Sequence, residues 1–256
     1  MALLAACGPV LASMEVSGDH RLLGAFVEDG AIVKKGWLEA AARYSRFAGG
    51  RDVTGTITAA FRFGRDVEAG LVLGVLDRTR DAGSNLFGAP LTTPVDGTGF
   101  ADAQIYAKYR VLRSPFEMAI GATTTIPMAD EGRALGPGTA QSSAFVGLRK
   151  SFSAATLVWS LGVAGHDDSR APGGAEGHET GQFGAGLLVP LSYEWIFLGE
   201  ISYRDGAYGR DGNDLRALAG LDWRPADNVV LRGGLGAGLS DAAPDLSATL
   251  SAAFHF

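Results

Sequence analysis

Apolar residues alternate with small or polar ones over about twelve stretches of this 256-residue chain, and the alternation runs to its last position. In "DLSATLSAAFHF", residues 245–256, Leu246, Ala248, Leu250, Ala252, Phe254 and Phe256 share one face. Ser247, Thr249, Ser251 and His255 share the other. Period two is the strand signal; a helix would repeat at 3.6. The stretches lie near 37–47, 53–63, 67–77, 101–112, 116–126, 143–152, 155–165, 181–189, 193–204, 214–224, 228–238 and 246–256, with 143–152 and 181–189 the weakest. Each holds about 9 to 12 residues, which spans a bilayer when a strand is tilted. No window reaches 18 uninterrupted apolar residues, so a helical span is not expected.

The connections narrow the choice. Tight ones ("GRD" after Phe63, "RSP" after Leu112, "SA" after Phe152, "PAD" after Arg224) alternate with long polar ones over 77–100, 127–141, 166–180, 205–213 and 240–245. Only "AGGRD" (48–52) is short on the long-loop side. Outer-membrane barrels alternate short periplasmic turns with long outer loops. A soluble sandwich, whose strands also alternate, has no reason to. Phe61, Phe63, Tyr109, Phe116, Phe152, Trp195, Trp223, Phe254 and Phe256 have apolar parity beside the short turns, as one membrane-interface girdle would require. Tyr44, Phe183 and Tyr203 are candidates for the opposite girdle. The expectation is all-β: a single transmembrane antiparallel up-and-down barrel of about twelve strands over 37–256. Both termini would face the periplasm.

The formal net charge is -6 with Lys and Arg scattered, which disfavours nucleic-acid binding. By parity the polar faces carry Glu39, Arg43, Arg62, Glu68, Asp102, Lys108, Arg110, Glu117, Arg149, Glu200, Arg204, Arg216, Asp222, Arg224 and Arg232. These charges either line a pore or neutralise one another in a filled lumen. Asp102, Lys108 and Arg110 lie on one strand face and invite a cross-strand network. Residues 14–36 are partly apolar (Leu22, Leu23, Phe26, Ile32, Val33) and are expected to enter the lumen as a plug or to stay in the periplasm. Residues 1–13 resemble the end of a secretory signal, and "LAAC" resembles a lipoprotein box that would acylate Cys7, the one cysteine.

Four stretches together resemble one family. "HRLLGAFVEDGAIVKKGWLEAAARYSR" (20–46) is similar to the opening of the meta-pathway phenol-degradation barrels, with an acidic run leading into the first strand. "GTGFADAQIYAKYRV" (97–111), "IPMADEGRALGPG" (126–138) and the closing "GLGAGLSDAAPDLSATLSAAFHF" resemble a family strand, outer loop and final hairpin. Met128-Ala129 replaces the usual Thr-Gly, and the Thr-rich opening is missing. The resemblance implies an outer-membrane, transporter-like protein passing small solutes, hydrophobic or aromatic ones among them.

Other chemistry finds little footing. His166, Asp167, Asp168, His178 and Glu179 share a loop without the spacing of a metal site. "GGLGAG" (233–238) lies in a strand pattern and lacks phosphate-loop spacing. His255 has no nucleophile beside it in sequence, and no G-x-S-x-G elbow occurs. The reading is therefore a monomer without cofactor or metal that passes a small-molecule solute passively. Its partners would be outer-membrane lipid, lipopolysaccharide and the barrel-assembly machinery. A non-conducting barrel whose outer loops bind a partner or lipopolysaccharide is the alternative, and a membrane-embedded hydrolase the third.

Overall fold

Twelve alternating stretches can satisfy every backbone group in hydrocarbon only by closing into a ring, and they do so here. The structure is a computed structural model that describes residues 16, 20–24, 28–86, 89–167, 178–205 and 212–256. In chain order the strands are β1 (Gly36–Phe47), β2 (Gly50–Phe63), β3 (Val67–Arg80), β4 (Asn85–Leu86), β5 (Ala89–Pro90), β6 (Val95–Phe100), β7 (Ala103–Leu112) and β8 (Glu117–Ile126). They continue with β9 (Gln141–Ser151), β10 (Thr156–His166), β11 (His178–Pro190), β12 (Trp195–Arg204), β13 (Asp214–Ala226), β14 (Val229–Gly238) and β15 (Leu246–His255). Strands β6 and β7 pair with the outer and inner halves of β3 and act as one strand interrupted at Ala101–Asp102. Strand β1 closes onto β15, from Trp37 opposite His255 to Arg46 opposite Leu246. The result is a closed twelve-stranded antiparallel barrel, with β4 and β5 as a separate two-stranded ribbon.

The expected boundaries shift at the long-loop end. Strand β3 runs on to Arg80, and β6 occupies part of the stretch expected as loop over 77–100. The apolar alternation fades there while the ladder continues, because polar groups replace lipid contacts. Arg78 donates two hydrogen bonds to Asp52 at 3.1 and 3.0 Å, and Arg80 pairs with the same carboxylate at 3.0 Å.

Exposure is inverted relative to a soluble protein. Leu161, Leu235 and Leu250 are 65%, 64% and 69% exposed on the outer face, whereas Glu68 and Asp222 are fully buried inside. Large apolar surface outside and charge inside suit a hydrocarbon surround. At the short-turn end, Trp195 stacks on Trp223 at 5.7 Å across β12 and β13, and Phe254 stacks on Phe256 at 5.9 Å. Phe61, Phe63, Tyr109 and Phe152 are exposed at the same end; Phe116 stands half-buried in the turn before β8. At the other end Phe183 lies opposite Tyr203. The signal and lipidation readings, with Cys7, fall on residues outside those described.

Candidate functional site

Part of the barrel interior is occupied by described residues of the segment that precedes β1. Residues 20–24 and 28–33 carry no strand ladder, yet irregular backbone at membrane depth needs partners. Charged side chains of the wall supply them. Glu68 on β3 is the hub. It accepts two hydrogen bonds from the Arg21 guanidinium, at 2.9 and 2.6 Å. The Val33 N–H donates at 2.6 Å and the Tyr106 hydroxyl at 3.0 Å, and the Lys108 ammonium lies 3.4 Å away. Lys108 also donates to the Asp29 carbonyl at 3.0 Å. Arg149 on β9 pairs with the Asp29 carboxylate at 2.8 Å and donates to the carbonyls of His20 and Val16 at 3.0 and 3.1 Å. Arg232 on β14 binds Asp222 at 3.0 Å, faces Glu39 at 3.6 Å and donates to the Arg21 carbonyl. His20 reaches Asp222 at 3.1 Å. Arg21, Lys108, Arg149 and Arg232 are thus matched by Asp29, Glu39, Glu68 and Asp222, as buried charges require.

Beside this network Leu22 and Leu23 enter an apolar pocket of Val16, Val158, Leu188, Ile196 and Leu198, with Leu218 at its edge. Wall glycines make the room. A Cβ at Gly186 would stand 2.5 Å from Leu22, one at Gly234 would stand 2.8 Å from Leu23, and one at Gly147 would overlap the Glu28 carbonyl. The run "GGLGAG" therefore serves a close approach inside β14.

Toward the long loops the interior opens into two adjoining cavities of about 280 and 350 Å³. Gly24, Glu28, Arg43 and Arg204 line both. Hydroxyls and amides make up much of the rest, including Thr54, Thr56, Thr249, Ser160, Ser202 and Gln182. Glu200 accepts from the N–H groups of Leu23 and Gly24, so the inner segment forms the floor.

The lumen-parity residues therefore separate into levels. Glu39, Glu68, Lys108, Arg149, Asp222 and Arg232 are buried in the network, and Arg43, Glu200, Arg204 and Arg216 line the cavities above it. The cross-strand contacts expected of Asp102, Lys108 and Arg110 form at Lys108, with Glu68 on β3, and at Arg110, with Glu117 on β8, but the three do not share one network. Strand tilt and length put them at three heights: Asp102 accepts from the N–H groups of Met128 and Ala129, both at 2.9 Å, and so anchors an outer loop. Arg110 sits at the short-turn rim, 3.1 Å from Asp66 and 3.6 Å from Glu117. Arg62 is exposed at that rim, and Arg224 donates to the Asp227 carbonyl at 2.8 Å; parity gave their face but not their depth. At the same rim Asp66 is held below the usual carboxylate range, first by the hydrogen bond from Arg113 and then by that from Arg110. His166 and His178 face each other as backbone partners at the outer end of β10 and β11; Asp168 lies outside the described residues.

Sequence reasoning missed Trp37, Tyr106 and Asp214, whose parity with Glu39, Lys108 and Arg216 already assigned them inward. It also missed His20, Arg21 and Asp29, which sit where no periodicity assigns a face.

An ion-paired interior inside an apolar, strand-built wall defines an outer-membrane β-barrel. No protein-family model matches the chain, and no curated protein matches it. The fold is shared with solved structures. An outer-membrane channel from Pseudomonas putida F1 superposes with a TM-score of 0.70 at 12% identity, covering 90% of this chain and 98% of that one. The NanC porin gives 0.60 at 8% identity, with 86% and 100% covered. The CymD monoaromatic hydrocarbon channel gives 0.50 at 10% identity, with 89% and 90% covered. At such identities the likeness shows the fold.

Proposed function

We propose that the protein is a passive outer-membrane channel for small polar solutes, closed in its periplasmic half by the segment before β1. The vestibule carries this reading: a hydroxyl- and guanidinium-lined space that ends on a built floor. The resemblance to phenol-degradation barrels pointed to hydrophobic or aromatic solutes; beside Leu23, Val72 and Leu218 the lining sets Arg43, Arg204 and several hydroxyls, whose hydrogen bonds reward a polar solute. The nine aromatics beside the short turns are assigned to the periplasmic interface, and lipid covers the outward face. The number of bonds that hold the inner segment favours a second reading, a non-conducting barrel whose outer loops bind a partner or lipopolysaccharide.

Single-channel conductance in a planar bilayer separates the two. Lys108→Met removes a cation that holds the Asp29 carbonyl and Glu68, and it is expected to increase open-channel events over wild type. Asp102→Asn, at the outer loop, is expected to leave the closed level unchanged. Silence from wild type and Lys108→Met alike, with insertion verified by heat-shifted gel mobility, would refute the channel.

A further inference from the structure

Resting on that reading, we propose that the vestibule binds a small hydroxylated carboxylate, held by Arg43 and Arg204. Four cations and four anions line the two cavities: Arg43, Arg204, Arg216 and Arg232 against Glu28, Glu39, Glu200 and Asp214. Most are committed elsewhere. Arg216 and Asp214 pair with each other across both carboxylate oxygens. Arg232 is bound to Asp222 and faces Glu39, which also accepts from the Trp37 indole at 3.1 Å. Glu200 is occupied by the Leu23 and Gly24 amides. Among the described residues, neither Arg43 nor Arg204 has a carboxylate within ion-pair distance. Arg43 makes only long hydrogen bonds, 3.3 Å to Thr249 and 3.4 Å to the Leu23 carbonyl.

The two guanidiniums come from β1 and β12, on strands separated by β13, β14 and β15, and each borders both cavities. A ligand spanning the two cavities has both residues on its walls. Guanidinium geometry suits a carboxylate, and the surrounding Thr54, Thr249, Ser160 and Ser202 suit hydroxyls on the same molecule. The cavity volumes sit near the lower end of small-molecule sites, about 300–1,000 Å³. Glu28, the remaining acid at the junction, opposes an anion there.

The test uses the full chain in detergent micelles, with D-gluconate as probe and sorbitol as its uncharged counterpart, read by calorimetry. Gluconate is expected to bind and sorbitol not. Arg43→Gln and Arg204→Gln should each weaken gluconate about tenfold, and Glu28→Gln should tighten it. Folding of each variant is checked by heat-shifted gel mobility. Equal binding of gluconate and sorbitol, gluconate binding indifferent to both arginine substitutions, or weaker binding in Glu28→Gln would each overturn the site. Conductance is read separately. Gluconate binding in a barrel that never conducts upholds the site and rejects the channel; conduction without gluconate binding does the reverse.

Discussion

Replacing Glu68 with alanine tests the network at its centre. The substitution strips the partner from a bidentate Arg21, a buried Lys108, the Tyr106 hydroxyl and the Val33 amide at once. Lys108 is fixed to the wall and keeps the Asp29 carbonyl. Arg21 belongs to the inner segment and recovers its hydration only if that segment leaves. The penalty therefore falls on docking and not on the barrel ladder. Breaking a buried ion pair by removing one partner costs about 3–5 kcal/mol. At about 1.4 kcal/mol per tenfold, segment opening rises between roughly a hundredfold and a few thousandfold. Native-state hydrogen exchange reads this directly. The amide of Ala31, which donates to Asp29 and not to Glu68, should lose protection by that factor, while those of β13 to β15 keep theirs. A triple variant, Glu68→Leu with Arg21→Met and Lys108→Met, should regain much of the protection at Ala31, because apolar replacement of a buried cluster is close to neutral. Unchanged exchange at Ala31 in Glu68→Ala would refute the reasoning.

Three further outcomes are expected. Asp66 has a depressed pKa, so its bonds to Arg113 and Arg110 stabilise the short turns above the unfolded carboxylate value, about 3.9, and are lost as pH falls through the lower folded value. Carbon-13 NMR of the Asp66 carboxyl should give a midpoint below that of a free aspartate, moved up by Arg113→Gln; a wild-type midpoint at or above the free value counts against it. Gly147→Ala should lift the backbone at Glu28 to Gly30, raising conductance while leaving heat-shifted mobility intact; loss of the folded band would show that the glycine serves the wall instead. Brominated lipid should quench Trp159, Trp195 and Trp223, which lie on the outward face, and spare Trp37, which is fully buried. Trp37→Phe should then remove the unquenched emission, and persistence of that emission would place Trp37 wrongly.

The wall was legible because a strand inserted in lipid shows both faces in its sequence. Leu250 and Thr249, or Ile105 and Lys108, reveal inside and outside by parity alone. Depth was less legible, since parity repeats identically at every height. Lys108 and Arg62 share a face assignment, yet one is buried in the network and the other exposed at the rim. The network's other half was not legible at all. Arg21, Asp29 and His20 lie in a segment with neither period, and their partners are set by where the segment is threaded. The glycines at 147, 186 and 234 look like ordinary strand glycines until Glu28, Leu22 and Leu23 stand against them.

The pairing of β1 with β15 bears on how the protein is made. Trp37 meets His255, and Gly36 exchanges backbone hydrogen bonds with Phe256 at 2.8 and 3.2 Å. These partners are nearly the whole chain apart, so this seam carries the highest contact order in the molecule and its loop-closure entropy must be met last. Until β15 pairs with it, β1 has an open edge along its full length, the kind of edge that recruits strands from other chains. Ring closure is therefore a single late event, and whatever shields the β1 edge until then decides between a barrel and an aggregate.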